Sequence, residues 1–278
     1  MKISINSMAK INFGLNIVEK RSDGFHNLET IFYPIELCDK LTFEKADFFS
    51  FSSNIPTLDI DPSNLVIKAF NIVEKYIGKK LNAKITLEKN IPIGGGLGGG
   101  SSNAAHTLVS IPLLFGFEIP QDFLRNMALT LGSDVPFFIK PIPSYASSRG
   151  EILEPISFDI NKPLLIVNPK IHISTKWAFQ NITPRKPGVN LKDIIQNNNN
   201  FSDYKNTVRN DFEDLVIKTY PELNKLKSSL YDFGAEFVLM SGSGSTFFAI
   251  FSDLEMADYA KQFFEKKYFC YLKANENE

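Results

Sequence analysis

Six of the seven residues from Gly94 to Gly100 are glycine, Leu97 being the exception, in a chain of 278 residues with 16 glycines. Glycine loses more conformational freedom on folding than any other residue, so such clustering needs a local reason. One reason is a loop that curls around an anion with its N–H groups turned inward. A helix beginning directly after the loop would add its own unpaired amides. Ser101 and Ser102 stand at that helix start and offer hydroxyls to a phosphate oxygen or to Mg²⁺. Together these features describe a triphosphate cradle. A flexible linker is the bland alternative, but Ile91-Pro92-Ile93 and Asn103-Ala104-Ala105 bracket the tract closely. No Gly-Lys-Ser or Gly-Lys-Thr follows, so this is not a Walker A loop, and a lysine must come from elsewhere. Nor does the tract open the first βαβ unit of a dinucleotide-binding domain.

Lys10 and Asn12 lie in an early alternating segment where Ala9, Ile11 and Phe13 define the opposite face. A solvated strand edge accounts for both polar residues, and so does one polar wall of a cleft. Gly132-Ser133-Asp134-Val135-Pro136 sets an acid in a short turn before an apolar run. Alone, Asp134 reads as a capping or turn aspartate. Beside a phosphate loop it becomes the candidate to accept the proton of an attacking hydroxyl, with Lys10 keeping it ionised and offsetting charge on the moving phosphoryl group. Met240-Ser241-Gly242-Ser243-Gly244-Ser245 is a second small-residue turn, either a tight hairpin or a place where backbone approaches a substrate phosphate closely.

The elements that must position these residues follow from periodicity. Alternation from Ile3 to Ile17 predicts a strand, as do the stretches 31–37, 41–44 and 82–87. A helix should begin near Ser63 and bury Val66, Ala69, Phe70 and Val73. The helix after the glycine tract should stop just before Pro112. Another over 121–131 should bury Phe123, Leu124, Met127, Ala128 and Leu131, with Gly132 ending it. Proline-rich 141–161 is the expected domain boundary, giving domains 1–155 and 156–278. Residue 164–167 strand pattern, a connector within 181–202 carrying Asn197 to Asn200, and a helix from Pro221 to before Gly234 follow. Strands at 237–240 and 246–251 and a final helix over 254–268 complete an α+β order without regular βαβ repetition.

Composition narrows the partners. Thirty Lys and Arg against 31 Asp and Glu give a formal charge of -1, which offers no broad attraction for nucleic acid or anionic membrane. No stretch has the roughly 18 apolar residues of a membrane span, and no secretory signal is evident, so cytoplasm is the default localisation. Cys38 and Cys270 read as buried thiols rather than a redox pair.

Taken together, Ala9-Lys10-Ile11-Asn12, the block from Arg21 to Thr30, the loop from Pro92 to Ala105, Gly132 to Phe138, Asn210-Asp211-Phe212-Glu213 and Met240 to Thr246 resemble the GHMP kinase superfamily. The Arg-Ser-Asp-Gly-Phe-His block is similar to the branch that phosphorylates a cytidine-diphosphate-linked methylerythritol in non-mevalonate isoprenoid synthesis. The resemblance covers nearly the whole chain.

It implies a two-domain GHMP kinase fold with the active site in the interdomain cleft. Lys10 and Asp134 match the family's catalytic pair. ATP, with Mg²⁺, would lie on Pro92, Gly94, Gly95, Gly96, Leu97, Gly98, Gly99, Gly100, Ser101 and Ser102, with Asn64 and Lys68 in the stretch bordering the adenine. Asn12 would lie near the transferable hydroxyl, and Phe25 and His26 would recognise cytosine. Trp177 would be core, interface or, with Phe179, part of that pocket. The Asn210 to Glu213 motif would support the domain interface through local hydrogen bonding rather than enter the chemistry. The partner implied is a small cytidine-linked alcohol, with no nucleic acid or membrane; oligomeric state is left open.

Three positions depart from the family pattern. Met8 stands for a usual proline, Asn103 for a usual aspartate, and a third glycine (Gly95 or Gly96) for a usual alanine. The last should loosen the loop. Two other readings compete: a GHMP-type kinase with a different alcohol, for which Phe25-His26 would be dispensable, and a catalytically silent ATP-binding regulator, against which the retained Lys10 and Asp134 argue.

Overall fold

The alternation at the N-terminus becomes one long strand, β1 (Lys2–Lys20), followed by β2 (His26–Lys45), in a computed structural model that describes residues 1–196 and 200–274. The remaining elements are β3 (Ser50–Ser53), α1 (Pro56–Asp59), α2 (Leu65–Ile77), β4 (Ala83–Glu88), α3 (Gly99–Phe115), α4 (Gln121–Leu131), a 3-10 turn (Val135–Ile139), β5 (Ser144–Ser147) and β6 (Ile152–Pro155). Then come β7 (Leu164–Asn168), α5 (Thr175–Asn181), α6 (Leu191–Gln196), α7 (Phe201–Thr207), α8 (Asp211–Thr219), α9 (Glu222–Asp232), β8 (Phe237–Met240), β9 (Phe247–Ile250), α10 (Leu254–Phe264) and β10 (Phe269–Lys273).

Two compact units share this chain. The first comprises 1–9, 35–93 and 98–141; the second comprises 10–34, 94–97 and 142–278. The sequence suggested a linear division at 155, whereas each of these units draws on separated stretches, and both long strands run through the two.

In the first unit β2 pairs antiparallel with β4, Leu41 opposite Leu87, and β3 pairs parallel with β4. Helix α2 packs on α3 and α4, burying Val66, Ala69, Phe70 and Val73 as its spacing demands. Its start is capped by Asn64, whose side chain accepts from the Val66 amide. In the second unit β2 pairs with β5, and β5 with β6. A separate antiparallel sheet runs β10-β7-β9-β8. Strands β7, β8 and β9 are buried on both faces and β10 is half-buried; one side packs on Phe212, Val216, Leu223 and Leu230.

Several expectations are corrected. Helix α3 passes through Pro112 to Phe115. Proline forfeits one helical hydrogen bond, but Ile111 and Leu114 are fully buried and Gly116 closes the last turn in the left-handed region. Phe123 is 51% exposed beside Tyr76 rather than buried, and Leu124 and Leu131 are half-buried. The region 141–161 contains the β5–β6 hairpin. The last helix stops at Phe264, and β10 follows it. Cys38 and Cys270 are half-buried free thiols. Of the connector, Asn197 to Asn199 lie outside the described residues, and helix α6 occupies part of the rest.

Candidate active site

Lys10 and Asn12 project from the same face of β1 and touch: the ammonium donates to Asn12 Oδ1. Both residues are only 3% exposed, so the solvated-edge reading fails. Burying an ammonium requires hydrogen-bond acceptors. Besides Asn12, Lys10 Nζ meets the Gly96 carbonyl at 3.4 Å and lies 5.0 Å over the Phe32 ring centroid. Asn12 Nδ2 donates to Thr30 Oγ1 at 2.9 Å, and Thr30 in turn donates to the Gly14 carbonyl at 2.6 Å. The Asn12 amide and the Gly96 carbonyl are joined by one hydroxyl: Ser241 Oγ accepts from the first at 3.1 Å and donates to the second at 3.0 Å.

The 240–242 turn that carries Ser241 is itself held by the Asn210 to Glu213 motif. Asn210 Nδ2 donates to the carbonyls of Met240 and Gly242 at 2.7 and 2.8 Å, and Glu213 accepts from the Met240 amide. Glu213 is paired with Lys227. Local support is therefore what this motif supplies, and its target is the Ser/Gly turn.

The glycine tract is two structures in sequence. A Cβ at Gly96 would stand 2.1 Å from the Ser241 carbonyl oxygen, and φ there is +79°. At Gly95 it would meet Asn168 Nδ2 at 2.5 Å, and at Gly94 the His172 ring at 2.5 Å. The expected loosening by a third glycine is thus not what this packing gives, since glycine is the residue that fits. From Gly98, which caps α3 in the left-handed region without a side-chain cap, the chain turns into helix. The first amides of α3 receive no side-chain cap, the arrangement that favours an anion. Gly100 is exposed, and a Cβ there would meet nothing nearer than Leu65 at 3.8 Å.

The two serines after the tract differ. Ser101 is half-buried, whereas Ser102 is fully buried and accepts a hydrogen bond from Ser7 at 2.7 Å. His106 Nδ1 approaches the Ser102 carbonyl at 2.8 Å, and burial pushes its pKa down. Asp134 is half-buried at the head of the 3-10 turn. Asn64 commits both ends of its amide to local bonds, to Val66 and to the Leu58 carbonyl. Lys68 and Pro92 lie on α2 and before the tract, respectively.

Beneath the tract sits a charged cluster that no sequence pattern pointed to. Asp39 is fully buried and pairs with Lys89 at 2.7 Å, the lysine side chain being 6% exposed. Burial lowers the Lys89 pKa, with the Asp39 charge opposing that shift. Breaking such a pair by removing one partner costs about 3–5 kcal/mol.

Phe25 and His26 part company. Phe25 is 51% exposed on a turn closed by the Arg21–Phe25 backbone hydrogen bond, with the Arg149 guanidinium 4.6 Å from its ring centroid. His26 is 6% exposed and stacks on Phe179 at 5.3 Å and 29°. Burial, then the charge of Lys20, lowers its pKa. Trp177 is half-buried against the hydrophobic core, and the ring that meets His26 is Phe179. The two aromatics sit two residues apart in a seven-residue helix, so sequence could not choose between them. Arg149 lacked any signal, lying at the tip of the β5–β6 hairpin in the stretch expected to be a domain boundary.

The match to known proteins agrees with the motifs. The model for the GHMP kinases N terminal domain matches residues 64–140, and that for the GHMP kinases C terminal matches 189–269. Fold and sequence therefore define a two-domain, α+β GHMP kinase. Solved structures of a mevalonate kinase from Methanococcus jannaschii and a homoserine kinase from Cytophaga hutchinsonii share the fold, at TM-scores of 0.70 and 0.66 with 14% and 18% identity. A 4-diphosphocytidyl-2-C-methyl-D-erythritol kinase of Chlorobium phaeobacteroides is 41% identical over 271 residues, 96% of this chain and 95% of that protein. One from Azobacteroides pseudotrichonymphae is 43% identical over 249 residues, 87% of this chain and 91% of its own. A crystal structure of a 4-(cytidine 5'-diphospho)-2C-methyl-D-erythritol kinase superposes with a TM-score of 0.81 and 29% identity, covering 97% and 98% of the two chains. The chain belongs to the 4-diphosphocytidyl-2-C-methyl-D-erythritol kinase family.

Proposed function

We propose that this protein transfers the γ-phosphoryl group of ATP to the C2 hydroxyl of 4-diphosphocytidyl-2-C-methyl-D-erythritol, giving the 2-phosphate and ADP. The observation that carries the reading is the 41% identity to an enzyme of that name across 96% of the chain. The buried Lys10–Asn12 pair supplies chemistry to go with it.

In this reading the uncapped first turn of α3 receives the phosphates of ATP through backbone amides, and Ser101 adds a hydroxyl. Mg²⁺, when bound with the triphosphate, neutralises its charge; an ion held mainly by phosphate oxygens needs few protein ligands, and Ser101 Oγ suits one of them. Asp134 accepts the proton of the C2 hydroxyl as the new O–P bond forms and the bond to the β-phosphate oxygen breaks. Lys10, fixed by Asn12 and Gly96, offsets the charge gathering on the transferred group, and Asn12 lies by the attacking hydroxyl. Because Lys10 is held before any ligand arrives, little reorganisation accompanies transfer.

Cytosine would be received by the exposed ring of Phe25 and the stacked pair His26–Phe179. The depressed His26 pKa favours a neutral imidazole at pH 7, able to exchange hydrogen bonds with an uncharged base. Arg149, over Phe25, would face the base or the diphosphate. Trp177 then supports α5 rather than the base.

The test is ADP release with Mg²⁺-ATP and the cytidine substrate, beside mevalonate, homoserine and galactose, with the product's phosphorylated position determined. Selective turnover at the C2 hydroxyl is expected. Turnover of mevalonate, homoserine or galactose instead would discard the cytidine pocket. ATP binding without turnover of any alcohol would make the protein a regulator.

A further inference from the structure

The polypeptide enters the glycine tract through Lys89-Asn90-Ile91 and leaves it through α3, and one carboxylate holds both. Asp39 Oδ1 accepts the backbone amides of Asn90 and Ile91, each at 2.8 Å. Its Oδ2 accepts Lys89 Nζ at 2.7 Å and Asn103 Nδ2 at 3.0 Å. Lys89 Nζ also donates to the Ile91 carbonyl at 2.7 Å, and it lies so close under α3 that a Cβ on Gly99 would stand 2.9 Å from it. The entering segment is pinned from a second side, where Asn54 accepts the Lys89 amide at 2.7 Å and donates to the Lys89 carbonyl at 3.1 Å.

We infer that Asp39 is a positioning residue for ATP, aiming the first amides of α3 through its hydrogen bond with Asn103. The inference rests on the reading that the triphosphate binds at the start of α3. Only Asn103 joins the cluster from the helix side, on its second turn, so it transmits the position of 89–91 to the amides that face phosphate. Its nitrogen must point at Asp39, since its oxygen there would set two acceptors against each other. That orientation leaves Asn103 Oδ1 buried without a protein donor. An orphaned buried acceptor is a cost that the bond to Asp39 offsets.

The experiment compares the full-length wild-type protein with Asn103→Ala and Asn103→Leu. Mg²⁺-ATP affinity is read by titration calorimetry and KM for the cytidine substrate by ADP release. Asn103→Ala removes the bond to Asp39 and adds no charge; it should weaken ATP by about tenfold, the equivalent of one lost strong hydrogen bond, with KM for the cytidine substrate unchanged. If Asn103→Ala does not fold, Asn103→Leu, which keeps the branched shape of the side chain, should show the same selective weakening. Unchanged ATP affinity in a folded variant would overturn the inference, as would a loss shared equally by both ligands. A wild-type protein that binds ATP but turns over no alcohol would defeat the functional reading, while the affinities would still decide Asp39. No ATP binding by wild type would end both.

Discussion

Gly94 to Gly96 and Gly98 to Gly100 are the same residue type in one tract, yet they are glycine for different reasons. In the first group each missing side chain makes room for a specific partner: His172 at Gly94, Asn168 and Thr246 at Gly95, the Ser241 carbonyl at Gly96. In the second group Gly98 supplies a left-handed turn, Gly99 lies over Lys89, and Gly100 has room for a side chain beside Leu65. A glycine run is commonly taken as one phosphate loop. Here half of it is a packing joint and half is the opening of a helix. The second half carries the first amides of α3, which no side chain caps.

Substitutions should separate the two halves. Asp134→Asn, outside both, sets the scale for losing chemistry alone: kcat should fall by about 10²–10⁴-fold with ATP affinity little changed, and an unaltered rate would remove Asp134 from the mechanism. Gly96→Ala should cost about 3 kcal/mol or more in urea unfolding, through both the 2.1 Å clash with backbone and a φ of +79°. A variant as stable as wild type would break the packing explanation. Ser241→Ala leaves the Asn12 amide and Gly96 carbonyl without their shared hydroxyl, and a loss of about 1–3 kcal/mol is expected in the same assay. At Gly100, alanine meets only Leu65, at an unstrained 3.8 Å, and should hold stability constant or raise it by up to about 1 kcal/mol. Its ATP affinity should nevertheless drop if phosphate approaches that exposed amide, whereas unchanged affinity would move the phosphates elsewhere on the helix.

The smallest effect is on pH. His106, within α3, has a folded pKa below its ordinary 6.5 because it is buried. Above pH 6.5 the ring is neutral in both states, and its full contribution to stability is present. Below that, the unfolded chain binds the proton first, so stability declines until the lower folded pKa is passed. The slope is at most about 1.4 kcal/mol per pH unit for one histidine. Replacing His106 with Gln should flatten the decline in urea midpoint between pH 7 and 5; an identical slope would assign the acid sensitivity to His26 or other groups.

What sequence could show of this protein is set by distance along the chain. Helix α3 and its uncapped start are local, written in the change from glycine to Ser101-Ser102 and the alanines that follow. The helix start near Ser63, one residue before the cap Asn64, and the helix after Pro221 were legible for the same reason. The partners of Gly94 to Gly96 lie 70 to 150 residues away, roughly, and nothing in a local pattern announces them. Asp39 falls between the expected strands 31–37 and 41–44 and no pattern singled it out, yet it is fully buried where Lys89 and Asn103 come to it. Phe179 and Trp177 have equal claims by composition, and only the stacking on His26 separates them. Strand β10 has partial burial throughout and no clean alternation, so its pairing with β7 came from the register of the sheet rather than from its own residues.

The way the two units divide the chain has a consequence for biosynthesis. Every residue of the first unit has been made once Pro141 is joined. The second unit begins at Lys10 but gains its last strand only at Phe269–Lys273. On the ribosome, therefore, Ile11, Phe13, Leu15 and Ile17, each almost wholly buried in the finished protein, emerge early and wait for more than two hundred residues before their unit can close. At about 5–20 residues per second that wait lasts on the order of ten seconds or more. The apolar face of one half of β1 is thus exposed for most of the protein's synthesis, and a chaperone that shields nascent strands would act there first.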